Sequence, residues 1–197
     1  SEVSQHIAKS VGVQHSVLPM TNDDAKTIVH TADGKMSFQE YFVKNKCEPV
    51  VEYLEFGGKK GVLPSGEVLH ALKNSTSIIF SPSNPYLSIN PILALSGLRG
   101  AISNFKGKKI AVSPIVGGKA LKGPAAKLLK EMGADVSAVG VAKQYADICD
   151  VFVIDSEDAG LASDIEALGM SVAITDTVMN SKLDKVSLAE FILELCE

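Results

Sequence analysis

The chain has no tryptophan, and phenylalanine and tyrosine together make up 6% of it. An aromatic platform for stacking single-stranded nucleic acid is therefore excluded as a main role. Lysine and arginine number 19 against 23 acidic residues, a net charge of −4. No basic excess is present to neutralise a nucleic-acid backbone or an anionic membrane surface, so neither is an expected partner. Cys47, Cys149 and Cys196 are odd in number, and their spacing fits no metal-ligand pattern. They read as reduced thiols in a cytoplasmic protein. His6, His15, His30 and His70 are scattered, without the spacing of paired ligands. No apolar run approaches the ~20 residues that a membrane-spanning helix needs. The Gly-x-Ser-x-Gly elbow of one hydrolase class is missing, and so is the spacing of a Walker A loop.

What is present is a regular rhythm. Apolar residues make up 46% of 197, enough for the core of one domain or of one domain with a small subdomain. Val3, Ile7 and Val11 recur at helical spacing before Gly12, and 13–18 reads as a strand. Segments 27–31 and 50–56 read as extended, with Asp33-Gly34 as a turn. Ser65 caps a helix carrying Val68, Leu69 and Leu72. Strands are then expected at 78–80, 110–112, 136–139, 151–154 and 171–174. Helices are expected at 91–105, 124–132, 142–147 and around Leu161, Ile165 and Leu168. The last is placed at 188–195, behind a Ser187/Glu190 capping box. This alternation predicts an α/β fold: a Rossmann-like parallel sheet with helices on both faces. It is one domain over 1–197, with 23–64 as a small insertion or lid that breaks the rhythm. The stretch Gly57-Gly58-Lys59-Lys60-Gly61 reads as a mobile surface loop.

Ligands of such sheets bind beyond the carboxyl ends of the strands, so the segments following strands carry the candidate chemistry. Leu18-Pro19-Met20-Thr21-Asn22-Asp23-Asp24 offers two adjacent carboxylates, suited to a hard divalent cation or to an ordinary acidic turn. Residues 81–91, Ser-Pro-Ser-Asn-Pro-Tyr-Leu-Ser-Ile-Asn-Pro, offer the side chains of Ser81, Ser83, Asn84, Ser88 and Asn90. Three prolines restrict that loop, which reads as a pre-shaped phosphate cradle or as a rigid connection satisfying its own backbone. Residues 113–124 bring the glycine pair Gly117-Gly118 beside Lys119 and Lys122, ahead of a helix start. That combination suits phosphate, or a flexible surface connection with solvated lysines.

Several of these runs together resemble the 2-phospho-L-lactate transferase (CofD) family. They are Val17-Leu18-Pro19-Met20-Thr21-Asn22-Asp23, Ser37-Phe38-Gln39-Glu40-Tyr41-Phe42-Val43, Ser81-Pro82-Ser83-Asn84-Pro85 and the stretch 111–125. Segments 137–142 and 174–177 match as well, and the likeness runs along nearly the whole chain in the family's order. It implies an enzyme that takes a guanosine diphosphate-activated phospholactate, or a related phosphoenolpyruvyl donor. The phospholactyl group passes to the side-chain hydroxyl of the deazaflavin Fo, with release of GMP and assistance from Mg²⁺.

On this reading Ser81, Ser83, Asn84, Ser88 and Asn90, with Gly117 and Gly118, hold the donor, and Lys119 supplies a catalytic cation. Asp23, as metal ligand, or Asp24 holds Mg²⁺ or orients the acceptor, and the Met20-Thr21 turn marks the deazaflavin side. One departure is large: the family's opening glycine-rich nucleotide-binding strand–loop, and the acidic residue after it, have no counterpart here. The expectation is that this chain resembles the C-terminal portion of a larger transferase and does not complete the reaction alone. A homodimer, or pairing with the missing N-terminal segment, is expected. The rival expectation is a non-catalytic module of the same fold that binds nucleotide or nucleotide-sugar.

Overall fold

The computed structural model describes residues 2–57, 61–121 and 123–197. The core of the expected surface loop, Gly58 to Lys60, and Lys122 of the glycine-rich segment lie outside the described residues. Helix α1 spans Glu2–Ser10, as its spacing predicts. The strand expected at 13–18 does not form. That stretch is almost wholly exposed, and the Val13 N–H turns back to Ala8 O instead of meeting a neighbouring strand.

Strands β1 (Thr27–Thr31), β2 (Gly34–Ser37) and β3 (Tyr53–Phe56) make a small antiparallel sheet in the order β2-β1-β3. Asp33-Gly34 supplies the turn, with Gly34 at φ +120°. Helix α2 (Gly66–Asn74) starts at Ser65, whose hydroxyl accepts the Val68 N–H.

The main sheet is parallel, with β4 (Ser77–Phe80), β5 (Lys108–Val112), β8 (Val151–Asp155) and β9 (Ser171–Thr175) in the order β4-β5-β8-β9. Between β5 and β8 lie a short hairpin, β6 (Ile115–Val116) and β7 (Lys119–Ala120), and helices α5 (Ala125–Glu131) and α6 (Ala138–Ala142). Helix α7 (Ala162–Glu166) links β8 to β9 after a 3₁₀ turn, and α8 (Lys182–Leu195) closes the chain.

In-register side chains of neighbouring parallel strands share a face. Phe80, Ala111, Phe152 and Val172 form one such row. They pack into the larger core with Leu128 and Leu129 of α5, Val141 of α6 and Ile165 of α7. The opposite row, Ile110, Val112 and Val153, packs on Leu188 and Ile192 of α8. Helices therefore cover both faces, as the alternation predicts. Each fully buried side chain of this kind contributes about 1.5–3 kcal/mol over its exposed state.

Four expectations fail for local reasons. The strand at 136–139 is instead the start of α6, because the Ser137 hydroxyl accepts the Gly140 N–H and caps a helix. The last helix begins well before Leu188: Ser181 and Asp184, not Ser187 and Glu190, form the capping box. The long loop after β4 is mostly helical. Asn84 Oδ1 accepts the N–H groups of Tyr86 and Leu87, a π-helical turn covers Pro85–Ile89, and α3 follows at Asn90–Leu93. Pro91 has no N–H, so it cannot continue an i→i−4 ladder, and the Asn90 N–H reaches one residue further, to Pro85 O. The expected helix over 91–105 breaks after α3 and restarts as α4 (Leu98–Ser103), with Gly97 at φ +78° in the left-handed region.

Residues 41–51 are tied to α5. Lys127 Nζ donates to Pro49 O at 2.7 Å, and Glu131 Oε2 accepts the Val51 N–H at 3.1 Å. The two side chains pair with each other at 2.6 Å, and the buried Tyr41 hydroxyl lies 3.3 Å from Lys127 Nζ. Among the described residues no helix is long and apolar enough to cross a membrane.

Candidate functional site

The carboxyl ends of β4, β5 and β9 meet at a crevice of about 190 Å³. Pro82, Ser83 and Asn84 enter it after β4, and Ser113 and Pro114 after β5. Leu121 and Ala125 come from the exit of the β6–β7 hairpin. Thr177 and Met179 follow β9, and Lys185 reaches in from α8. A larger cavity of about 420 Å³ lies against the small sheet, lined by Met20, Glu55, Phe56 and Leu95 among others. The smaller crevice is the stronger candidate, because it collects the post-strand segments of a parallel sheet, where such folds bind ligands.

Two buried carboxylates build the frame of this edge. Asp155, the last residue of β8, accepts the Thr177 N–H at 2.8 Å, the Thr177 hydroxyl at 3.0 Å and the Glu157 N–H at 3.0 Å. Burial pushes its carboxyl up, but these three donors outweigh burial and hold it below its ordinary value. Asp158 receives the Gly117 N–H on both oxygens, at 3.2 and 3.1 Å. Burial, with the nearby Asp155 and Glu157 charges, raises its carboxyl despite those bonds. Ser113 is buried and self-contained: its hydroxyl donates to Ile115 O and accepts the Ile115 N–H.

The expected glycine-rich phosphate loop is thus a tight hairpin. Gly117 and Gly118 form its two-residue turn, both at positive φ, as a type I′ turn requires. A side chain at Gly117 would put its Cβ 2.1 Å from Glu157 Oε1. The Gly117 amide faces a carboxylate of the protein itself and is already taken. Helix α5 begins behind Pro124 with no side-chain cap.

Of the other expected residues, Ser83 and Asn84 line the crevice, while Ser81, Ser88 and Asn90 do not. Ser81 and Ser88 are exposed, and Asn90 opens α3. Lys119 is exposed on β7, and neither it nor Gly118 lines the crevice. Met20 lines the larger cavity. Thr21 Oγ1 accepts the Asp23 N–H at 3.1 Å, and Asp24 pairs with Lys26 at 3.0 Å. Both acidic side chains are exposed and apart from the crevice. Among the described residues no group of three His, Cys, Asp or Glu side chains could hold a metal ion. Magnesium usually keeps several waters and takes only one or two protein carboxylates beside substrate phosphates, and Asp23 and Asp24 are the adjacent carboxylates expected for that role.

Asn84 stands out within the crevice. Its Oδ1 caps the helical turn, and its Nδ2 is buried without a hydrogen-bond partner. Leaving a buried donor unmet costs about 1–3 kcal/mol. Thr177 and Lys185 also line the crevice and are not among the residues the sequence singles out. The segment after β9 carried the same post-strand signal as the three that were weighed. Placing the last helix at Leu188 left Lys185 outside it.

Comparison with known proteins gives a consistent result. A family model described as "2-phospho-L-lactate transferase CofD" matches residues 1–189. A Methanocaldococcus jannaschii protein named 2-phospho-L-lactate transferase is 40% identical over 200 residues, covering 100% of this chain and 63% of its own. Its namesake from Methanosarcina mazei is 38% identical over 183 residues, covering 93% of this chain and 60% of its own. This chain thus spans about three fifths of the length of these relatives. A crystal structure of an upf0052-family protein from Bacillus halodurans superposes with a TM-score of 0.61 at 18% identity. It covers 94% of this chain and 64% of that one, and shows that the fold is shared.

Proposed function

Because this chain belongs to the 2-phospho-L-lactate transferase CofD family, we propose that its crevice forms the donor-phosphate side of a phospholactyl transfer site. The donor is a guanosine diphosphate-activated phospholactate or its phosphoenolpyruvyl relative, and the acceptor is the side-chain hydroxyl of the deazaflavin Fo. The acceptor oxygen bonds to the phosphorus of the phospholactyl group. The bond from that phosphorus to the bridging oxygen breaks, GMP leaves with that oxygen, and the hydroxyl proton is released.

Displacement at phosphorus asks a protein mainly to hold two phosphates and to spread their charge. The Ser83 hydroxyl and Asn84 Nδ2 donate to phosphoryl oxygens. Pro82 and Pro85 stiffen the segment that presents them, and Leu121 and Met179 keep one wall apolar. Among the described residues no carboxylate lines the crevice, so none there is assigned as general base or metal ligand, and no step is routed through a metal.

The observation that carries this reading is the buried, unpartnered Asn84 amide at the carboxyl edge of the sheet. Calorimetric titration of the 197-residue chain with GDP and with guanosine tests it. GDP is expected to bind at least tenfold more tightly, since only it brings phosphate acceptors. Equal affinities, or no binding of GDP, would overturn the reading. Turnover is followed separately, by chromatography of fluorescent Fo and its phosphodiester product.

A further inference from the structure

We propose that Lys185 of α8 is the substrate-binding cation of this crevice, closing on the donor's diphosphate from the side opposite Ser83 and Asn84; this rests on reading the crevice as a phosphate site. Among the described residues Lys185 is the charged member of the crevice lining, and no carboxylate accompanies it there.

Two other lysines on helical turns are neutralised by an acid four residues away: Lys44 by Glu40 at 2.9 Å and Lys127 by Glu131 at 2.6 Å. Lys185 has no such neighbour, because the residues three and four positions away are Lys182, Ser181, Leu188 and Ala189. The adjacent Asp184 is spent on the N–H groups of Asn180 and Ser181 at the helix start. Asp155 is spent on Thr177 and Glu157, and Asp176 on the Ser156 hydroxyl. Among the described residues Lys185 forms no ion pair.

Among the described residues the side-chain polar groups left open in the crevice are thus an ammonium, an amide N–H and the Ser83 hydroxyl. The hydroxyls of Ser113 and Thr177 are already committed. A lining that offers a cation and donors, with no carboxylate to answer them, matches a polyanion with many acceptor oxygens. The two sides come from opposite edges of the sheet: Ser83 and Asn84 follow β4, and α8 follows β9. A diphosphate, longer than a single phosphate, suits a site whose donors face each other across a sheet edge.

The test is calorimetric titration of the wild-type chain, Lys185→Met and Lys185→Arg with three probes: GDP, inorganic pyrophosphate and guanosine. Circular dichroism checks that the variants fold, as an exposed helix position leads one to expect. Lys185→Met is expected to weaken GDP and pyrophosphate by about tenfold or more, the low end of what a charged hydrogen bond contributes. Guanosine binding should not move, and Lys185→Arg should recover most of the loss.

A folded Lys185→Met that binds both anions within twofold of wild type overturns the assignment, as does a wild type that binds neither. A wild type that binds pyrophosphate through Lys185 but gains nothing from the guanosine moiety leaves the cation in place. That outcome sinks the phospholactyl-donor reading instead.

Discussion

Residues 81–84, leaving β4, and residues 113–120, leaving β5, are neighbours on one sheet edge and look alike in sequence. Both combine small polar side chains with proline, and both precede a helical segment. In the fold they differ in how their donors are used. After β5, the Ser113 hydroxyl closes on Ile115, and the Gly117 amide is held by the buried Asp158. After β4, Asn84 spends its oxygen on a helix cap and leaves its Nδ2 unmet. Composition marks where an anion site can be built; whether it is open depends on which donors the rest of the protein has already engaged.

The largest expected effect lies in the carboxylate frame that both segments border. Asp155→Ala removes the acceptor of three donors, two of them from the buried Thr177, and is expected to cost about 3 kcal/mol in urea unfolding. Asp158→Ala frees the Gly117 amide at an expected cost of about 2 kcal/mol. GDP affinity should hold, because that amide lies outside the crevice. A large loss of affinity would restore the hairpin as a ligand loop.

The same pair predicts opposite pH behaviour. Asp155 is depressed, so its stabilisation is present above the ordinary carboxylate value of about 4 and is lost as pH falls through its lower folded value. Asp158 is raised, so its folded form takes up a proton first, and acidification from neutrality toward 4 adds stability. Asp155→Asn should therefore flatten the acid limb of stability against pH, and Asp158→Asn should steepen it. Parallel limbs in the two variants would contradict this division.

Asn84→Asp separates cap from donor. The cap acceptor stays, so unfolding stability should remain within about 1 kcal/mol. The amide donor is replaced by a negative charge, and GDP affinity should fall by about tenfold or more. Unchanged affinity would make residues 81–84 as closed as the hairpin. The smallest effect is expected for Lys119→Met, which should leave GDP affinity within about twofold, since that lysine is exposed and apart from the crevice. A tenfold loss there would return the cation to the hairpin and remove the contrast.

Much of the main sheet was legible because its signals are local. Apolar runs at 78–80, 110–112, 151–154 and 171–174 became β4, β5, β8 and β9, and Ser65 capped α2. Errors arose where two local solutions compete. Ser181-x-x-Asp184 and Ser187-x-x-Glu190 are both plausible capping boxes, and the earlier one is used. Ser137 turned a short apolar run into a helix. Asn84 and Pro85 started helical structure within what read as a loop, and only residues 81–84 remain irregular, an ordinary length for a strand-to-helix connection. Ser83 and Asn84, which line the crevice, are legible as candidates because they sit directly after a strand. Lys185 is not, because it reaches the crevice from a helix that starts before the position its pattern suggests.

The sequence by itself determined the family, the parallel α/β sheet and the candidate edge, the one at which sheets of this kind bind ligands, because strand pattern, helix periodicity and caps depend on residues a few positions apart. Only the tertiary structure decided which polar groups at that edge are free. Gly117 is engaged by a residue 41 positions away and Thr177 by one 22 positions away. Such pairings are made by chain crossings and close under the desolvation penalty of burial, which no local pattern records. Among the described residues, the open amide of Asn84 and the unpaired ammonium of Lys185 are what that pairing leaves over.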